Sequence, residues 1–556
     1  MAFSVEEASL PLYHPAKPLP FELVQHVGIF FEEKLHTQAL SLLLSSLSSH
    51  TNASTPTFIP SPQHLALAAT FLVHPSTTAR PKTTEEEEAP NVSLRLLRLV
   101  NSLVGPINAK FNTAFLFTHF ETSRHGRRRH IDDVTSSERR KPLNLDRDID
   151  IDLAQSASVW SRAEDFWHAV GWAFNCSVLH PSRWERWRVW LEFMCEVLED
   201  DWNERLRRKQ NELSPKVSLK TKKAEEQQGL EGSMIVHYIN SSSAGFGRNR
   251  RILRSIFADG GTQSVNEFRE VFQSEVKLSR KKTSKEKDTK KREAVVDIEA
   301  DEYADFYLSS DYDTSSSTGG REPKRPRRSR AATRKSATDT PKPNPDSQPN
   351  SILPIAALGD TTSLALRQRI LQLLSTVSEA LPQYLMDLQD LYHLFVEFIR
   401  PLPLPAYQFL ISPFALPHFT PAAQTTLCEF LLYRLRETAA PDSHENYLSQ
   451  SKLEKCFLPY ATATSSLSDN AKMSITLEAL LTLLAESHLL VVTEETKRLT
   501  QKGIIRRAEK AQFETRKNQL ARMSEDMEWS WLCESAERLR FLVEEVIPAD
   551  SASSES

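Results

Sequence analysis

VWSRAEDFWHAVGWAFNCSVLHPSRWERWRVWLEFMCEVLEDDWNERLRRK, Val159 to Lys209, holds seven of the chain's nine tryptophans. Ala163, Trp167, Val170, Phe174 and Val178 recur at steps of three and four, one face of a 3.6-residue helix. Ser161 and Glu164 fit a capping box at its start. His180-Pro181 ends it, because proline disfavours helical geometry in the residue before it. Ser182 and Glu185 fit a second capping box. The stripe Trp184, Trp187, Leu191, Met194, Leu198 and Trp202 follows, with Trp190, Phe193 and Val197 on an adjoining face. So short a connection predicts a helical hairpin whose second helix meets neighbours on two sides.

Rings placed at core periodicity bury large apolar areas. Trp167, Trp184, Trp187, Trp190 and Trp202 therefore read first as core, with an aromatic recognition surface as the alternative, since Trp and Arg anchor interfaces. Arg183, Arg186 and Arg188 read as the solvated face of the second helix; the competing reading is an Arg/Trp stacking platform for nucleic acid.

The remainder of the chain repeats the helical theme. On the N-terminal side, Leu23, Val27, Phe30, Phe31 and Leu35 share a face within a helix from Pro20 to Leu44. Ser61-Pro62 is a helix start, with Ser as cap and Pro in the first turn. A loop, PSTTARPKTTEEEEAPN, separates that helix from SLRLLRLVNSLVG. On the C-terminal side, Leu366, Ile370, Leu373, Leu374 and Val377 make one face, and Leu385, Leu388, Tyr392, Phe395 and Phe398 the next. Thr420-Pro421 opens another helix, and a last long one is expected from about Glu509 to Val546. Few stretches alternate like strands, and SMIVHYI reads as a strand or a packed turn. The fold class is all-α: an irregular helical bundle or HEAT-like solenoid in two helical regions separated by a long disordered segment. The divisions are 1–122, N-terminal helices; 123–158, a charged insertion; 159–278, the Trp-rich hairpin and following helices; 279–350, the disordered linker; 351–548, C-terminal helices; and 549–556, a tail.

Composition narrows the function. Hydrophobic residues make up 40% and charged residues 26%, which suits a soluble globular protein with disordered parts. Fourteen glycines against 31 prolines argue against glycine-rich nucleotide loops and an ordinary α/β enzyme. The five cysteines form no CxxC pair, so no zinc framework is expected, and their odd count suits a reducing compartment. The N-terminus lacks a signal-peptide pattern. No apolar run reaches the roughly 18 residues needed to span a membrane. No cofactor is expected.

Three stretches resemble known motifs. Arg124 and His130 have the R-x(5)-H spacing used by HEPN-type ribonucleases, but a basic loop, Arg124 to His130, explains it more simply. Asp148, Asp150 and Asp152 resemble the opening of an EF-hand loop, which fails because Leu153 and Val159 stand where the turn Gly and closing Glu belong. Val295, Val296 and Ile298, followed by Glu299, Asp301 and Glu302, resemble a SUMO-interacting motif.

The linker also carries Lys324-Arg325-Pro326-Arg327-Arg328-Ser329-Arg330, a basic run of nuclear-localisation type. Lys324, Arg325, Arg327, Arg328 and Arg330 would engage an import receptor. Two further basic groups stand out. Arg248, Arg250, Arg251 and Arg254 form a helix face for an acidic partner. Lys497, Arg498, Lys502, Arg506, Arg507, Lys510, Arg516 and Lys517 read as a solvated helical face, with phosphate contact as the alternative. The reading is a nuclear, non-enzymatic scaffold or adaptor for protein partners in a chromatin or genome-maintenance complex, such as one of DNA repair. Its alternatives are a nucleic-acid-binding protein and a HEPN-type ribonuclease.

Overall fold

Asp165, not Ser161, caps the first helix of the Trp-rich hairpin in the computed structural model of the chain. Its Oδ1 accepts the His168 backbone N–H at 2.7 Å. Ser158 caps a separate turn at Val159–Arg162, and the backbone is extended at Ala163. Asp165 is fixed there because its other oxygen pairs with Arg251, so a distant cation selects the cap. The second capping box is also absent. The helix begins at Pro181, and the His180 carbonyl accepts the Trp184 amide at 2.9 Å. The two helices, Phe166–Leu179 and Pro181–Glu212, run antiparallel: Phe174 meets Trp184 near the link, and Phe166 meets Trp190 further out.

The structure describes residues 13–48, 56–118, 149–212, 229–242, 247–276, 357–416, 418–443, 445, 447–512 and 519–546. In chain order, the helices before the hairpin are α1 (Phe21–Glu32), α2 (His36–Ser48), α3 (Pro62–Phe71), α4 (Pro75–Thr78), α5 (Thr84–Val104), α6 (Phe111–Ala114) and α7 (Val159–Arg162). The hairpin is α8 (Phe166–Leu179) and α9 (Pro181–Glu212), followed by α10 (Met234–Ser241), α11 (Arg248–Ile256) and α12 (Thr262–Glu267). The C-terminal region contributes α13 (Thr361–Ala380), α14 (Leu388–Ile399), α15 (Leu404–Ile411), α16 (Pro421–Leu435), α17 (Gln450–Cys456), α18 (Leu467–Glu486), α19 (Glu494–Ala511) and α20 (Gln519–Phe541). A short parallel pair, β1 (Ala16–Pro18) and β2 (Thr57–Ile59), sits beside α2. The fold is all-α.

Several boundaries differ from the sequence reading for identifiable reasons. Lys34 adopts a left-handed conformation (φ 63°) and breaks the expected first helix into α1 and α2. The acidic run read as a loop is the first turn of α5: Thr83 caps it, and Glu85, Glu86 and Glu87 face the positive end of the helix dipole. SMIVHYI is helical, as α10; Asp201 accepts the Met234 amide at 2.8 Å, and the Tyr238 hydroxyl donates to Phe115 O. Of the final helix expected from Glu509 to Val546, Gln519–Phe541 is helical as α20, Glu509–Ala511 form the end of α19, and residues 513–518 lie outside the described residues.

The two helical regions pack together in one unit. Arg369 of α13 forms a two-point ion pair with Glu199 of α9, at 2.7 and 2.6 Å. Phe257 stacks on Phe398 with centroids 5.5 Å apart. Arg367 is fully buried; it donates to Ala258 O at 2.9 Å and to Ile256 O before the linker, and to Leu358 O at 3.2 Å after it. Because α9 contacts α13 across so long a sequence interval, this is an irregular bundle, not a stack of nearest-neighbour pairs. One apolar core runs from Leu19 to Leu532, with a smaller cluster around α16 to α20.

Candidate functional site

The tryptophans singled out in the sequence are interior groups. Trp167, Trp187 and Trp190 are fully buried, and Trp184 and Trp202 are each 4% exposed. The Trp167 indole donates to Tyr238 O at 3.0 Å and the Trp184 indole to Asp360 at 3.2 Å. Trp187 and Trp172 both donate to Glu275, at 2.6 and 3.0 Å. Arg183 is not on a solvated face. It is 4% exposed and pairs with Glu275 as well, while Arg186 and Arg188 stay partly exposed. A helix two-faced in its apolar residues has little surface left for solvent, so the arginine nearest the turn is enclosed.

The basic groups are largely neutralised within the chain. Arg250 pairs with Glu397, Arg251 with Glu164 and Asp165, and Arg254 with Glu267. The expected acidic partner of that face is therefore supplied, at those three positions, by the protein's own helices. On α19, Lys497 pairs with Glu494 and Arg498 with Glu495, while Arg506 and Lys510 share Glu437. Arg507 is fully buried, donating to Ser474 Oγ at 2.9 Å and Tyr460 O at 3.2 Å; desolvation lowers its pKa to about 9. Lys502 is exposed. Arg124, His130 and Asp148 lie outside the described residues, as do Arg516, Lys517, the acid-aliphatic run at 295–302 and the basic run at 324–330. Asp150 and Asp152 are described and exposed.

Among the described residues, no group of three His, Cys, Asp or Glu side chains converges on a metal site. No described helix is long and apolar enough to cross a membrane. Burial pushes the Cys195 and Cys428 thiols up to about 12, so neither is a thiolate near neutral pH.

A cleft among the described residues was not anticipated from the sequence. It encloses about 1070 Å³ between the start of α11, α14, the turn at Arg400 and Pro401, the end of α16, and α18. Gly247, with φ 112°, turns the chain into α11. Arg248 then donates to Tyr384 O at 2.6 Å, and Asn249 to Leu385 O at 2.7 Å, which fixes the wall before any ligand arrives. Five cations line the cleft: Arg248, Arg250, Arg400, Arg434 and Lys472. Three carboxylates face them, Asp390, Glu397 and Asp469. Glu397 is engaged by Arg250 and Asp469 by Arg400 at 3.3 Å.

Lys472 is 5% exposed, and its Nζ donates to Arg400 O at 2.7 Å; desolvation lowers its pKa. Arg434, in the last turn of α16, is exposed and has no carboxylate within 4.0 Å among the described residues. Met386, Leu394 and Val396 supply the apolar part of the lining. No local motif announces this site, because its walls come from residues 247–250 and 386–472. The one readable signal was Arg248 and Arg250 at the head of a helix. No protein-family model matches the chain, and no curated protein matches its sequence.

Proposed function

We propose that this protein is a non-enzymatic nuclear scaffold that gathers protein partners in a chromatin or DNA-repair complex. The carrying observation is where its motifs lie. The basic run Lys324–Arg330 and the acid-aliphatic run Val295–Glu302 both fall in the stretch that separates two helical regions packed as one unit. On either side of that stretch the chain is fastened to the same hairpin. Glu275 is held by Arg183, Trp172 and Trp187, and the Leu358 carbonyl accepts from Ser177 of α8. An insertion anchored at both ends can present short motifs without disturbing the core. The basic run is the address for an import receptor. The acid-aliphatic run adds a strand to the sheet of a SUMO-type modifier, with Val295, Val296 and Ile298 in its groove and Glu299, Asp301 and Glu302 on its basic rim.

Replacing Lys324, Arg325, Arg327 and Arg328 with Ala tests the address. The tagged full-length variant is expected in the cytoplasm and the unaltered protein in the nucleus; nuclear accumulation of both would overturn it. Crosslinked purification from nuclei tests the scaffold. It is expected to recover chromatin-associated proteins in fixed ratio to the chain, and recovery of the chain alone would overturn it. Labelled SUMO titrated with the full chain is expected to bind on the order of micromolar or weaker, since ordering the segment costs free energy. The response should vanish when Val295, Val296 and Ile298 are all changed to Ala.

A further inference from the structure

We infer that the cleft between α11, α14, α16 and α18 is a docking site for an acidic peptide segment of a partner protein, with aliphatic residues interspersed among its acids. This inference stands apart from the nuclear address and from the SUMO-type motif, neither of which involves the cleft.

Charge chooses the sign of the occupant. Five cations outnumber three carboxylates around the cavity. Two of those carboxylates are already engaged, Glu397 by Arg250 and Asp469 by Arg400. Arg434 stands exposed with no ion-pair partner among the described residues, so it is the first cation an incoming carboxylate can take. The Arg250–Glu397 pair is about half exposed on both sides, and such pairs are worth little. A peptide acid can therefore displace Glu397 at small cost and take a charge-assisted two-point bond from the guanidinium.

Shape and polarity choose the class. A cavity of about 1070 Å³ is at the upper end of small-ligand pockets and has room for several peptide residues. Met386 and Pro401 are accessible beside the charged groups, with the buried Leu394 and Val396 behind them, so aliphatic side chains of the occupant find apolar contacts between its ionic ones. Nucleic acid fits less well. Interfaces for it are far more positively charged than five cations against three carboxylates, and an occupant with acids spaced by aliphatic residues carries a lower density of negative charge. The cleft is also prepared in advance. Lys472 is pinned on Arg400 O, and Arg248 and Asn249 are pinned on the backbone at 384 and 385. The occupant orders itself but does not have to order the site.

The test is fluorescence anisotropy of the full-length protein with a fluorescein-labelled peptide, Glu-Glu-Val-Asp-Ile-Val-Glu-Asp. Oligo(dT) and the same peptide with Lys for every acid serve as comparators. The acidic peptide is expected to bind with Kd on the order of micromolar and the Lys peptide not at all. Arg250→Glu with Arg434→Glu should weaken it at least about tenfold. Both side chains are exposed, so thermal melting should remain unchanged. Lys502→Glu, on α19 and outside the cleft, should bind like the unaltered protein. Three results would each overturn the inference: no binding of the acidic peptide, equal binding by the double variant with an unchanged melt, or tighter cleft-dependent binding of oligo(dT). If the double variant melts early, Arg434→Gln replaces it as the decisive comparison, with weaker binding expected and unchanged binding contradicting the site.

Discussion

Arg183 and Glu275 form a buried ion pair, with Nε 2.9 Å from Oε1, that joins the head of α9 to the turn at residues 271–276, the last described before the linker. The carboxylate is saturated: Trp187, Trp172 and the Phe272 amide also donate to it. The guanidinium reaches on to Thr78 Oγ1 at 2.7 Å and to Val73 O. Burial raises the pKa of Glu275, and Arg183, the Trp187 indole and the Phe272 amide oppose that shift. Removing one partner strands the other as an uncompensated buried charge. Arg183→Ala is therefore expected to cost about 3–5 kcal/mol. Arg183→Met combined with Glu275→Leu should cost clearly less than the sum of the two single changes, because neither charge remains. Urea unfolding followed by tryptophan fluorescence reads this directly; simple additivity would show that the pair is not coupled.

Two glycines in helix interiors should respond to alanine in opposite directions. A Cβ on Gly503 of α19 would lie 1.9 Å from the Leu458 carbonyl oxygen and 2.9 Å from Arg507 Nη1. That carbonyl belongs to backbone facing the buried Arg507, so it cannot retreat without disturbing the guanidinium's surroundings. Gly28 of α1 has nothing within 4 Å of its added Cβ. Ala at Gly28 should stabilise by about 0.5–1 kcal/mol through helix propensity alone. Ala at Gly503 should destabilise by about 1–3 kcal/mol, as overpacking does. Thermal melts of the two variants beside the parent decide it, and a raised melting temperature for Gly503→Ala would refute the close approach.

What the sequence revealed and what it hid divide along the range of the interactions. The hairpin was legible because Trp167, Phe174, Trp187 and Leu191 follow a period set by local geometry. Its caps were not, because the choice between Ser161 and Asp165 is made by Arg251, 86 positions away from Asp165. Arg183 looked solvated because its partner is 92 residues distant. The acidic start of α5 was readable in principle, since Glu at a helix N-terminus suits the dipole, but a run of acids beside Pro81 and Pro90 imitates a loop. The cleft was invisible for the strongest reason. Its two walls meet only after the helical regions have packed across the linker, as the pair Arg250–Glu397, 147 residues apart, illustrates.

His64 makes one part of the acid sensitivity predictable. It is 1% exposed within α3, its ring packs 5.8 Å from Phe31, and its Nδ1 lies 3.1 Å from Ser61 Oγ. Desolvation lowers its pKa from 6.5 to about 4. The folded protein therefore holds it neutral over a range in which the unfolded chain would protonate it. Its contribution to stability is fully present above the unfolded value and is lost as pH falls from about 6.5 towards 4, by up to about 1.4 kcal/mol per pH unit. His64→Asn keeps a polar group near Ser61 but cannot titrate. Every other group, including the half-buried His74 and the buried His168, titrates alike in both proteins and cancels in the difference. The stability advantage of the parent over the variant should thus shrink by about 2 kcal/mol between about pH 7.5 and about pH 5. Urea titrations of the pair across that range check it. A difference independent of pH would mean that His64 is hydrated or charged in the fold, contrary to its burial between α1 and α3.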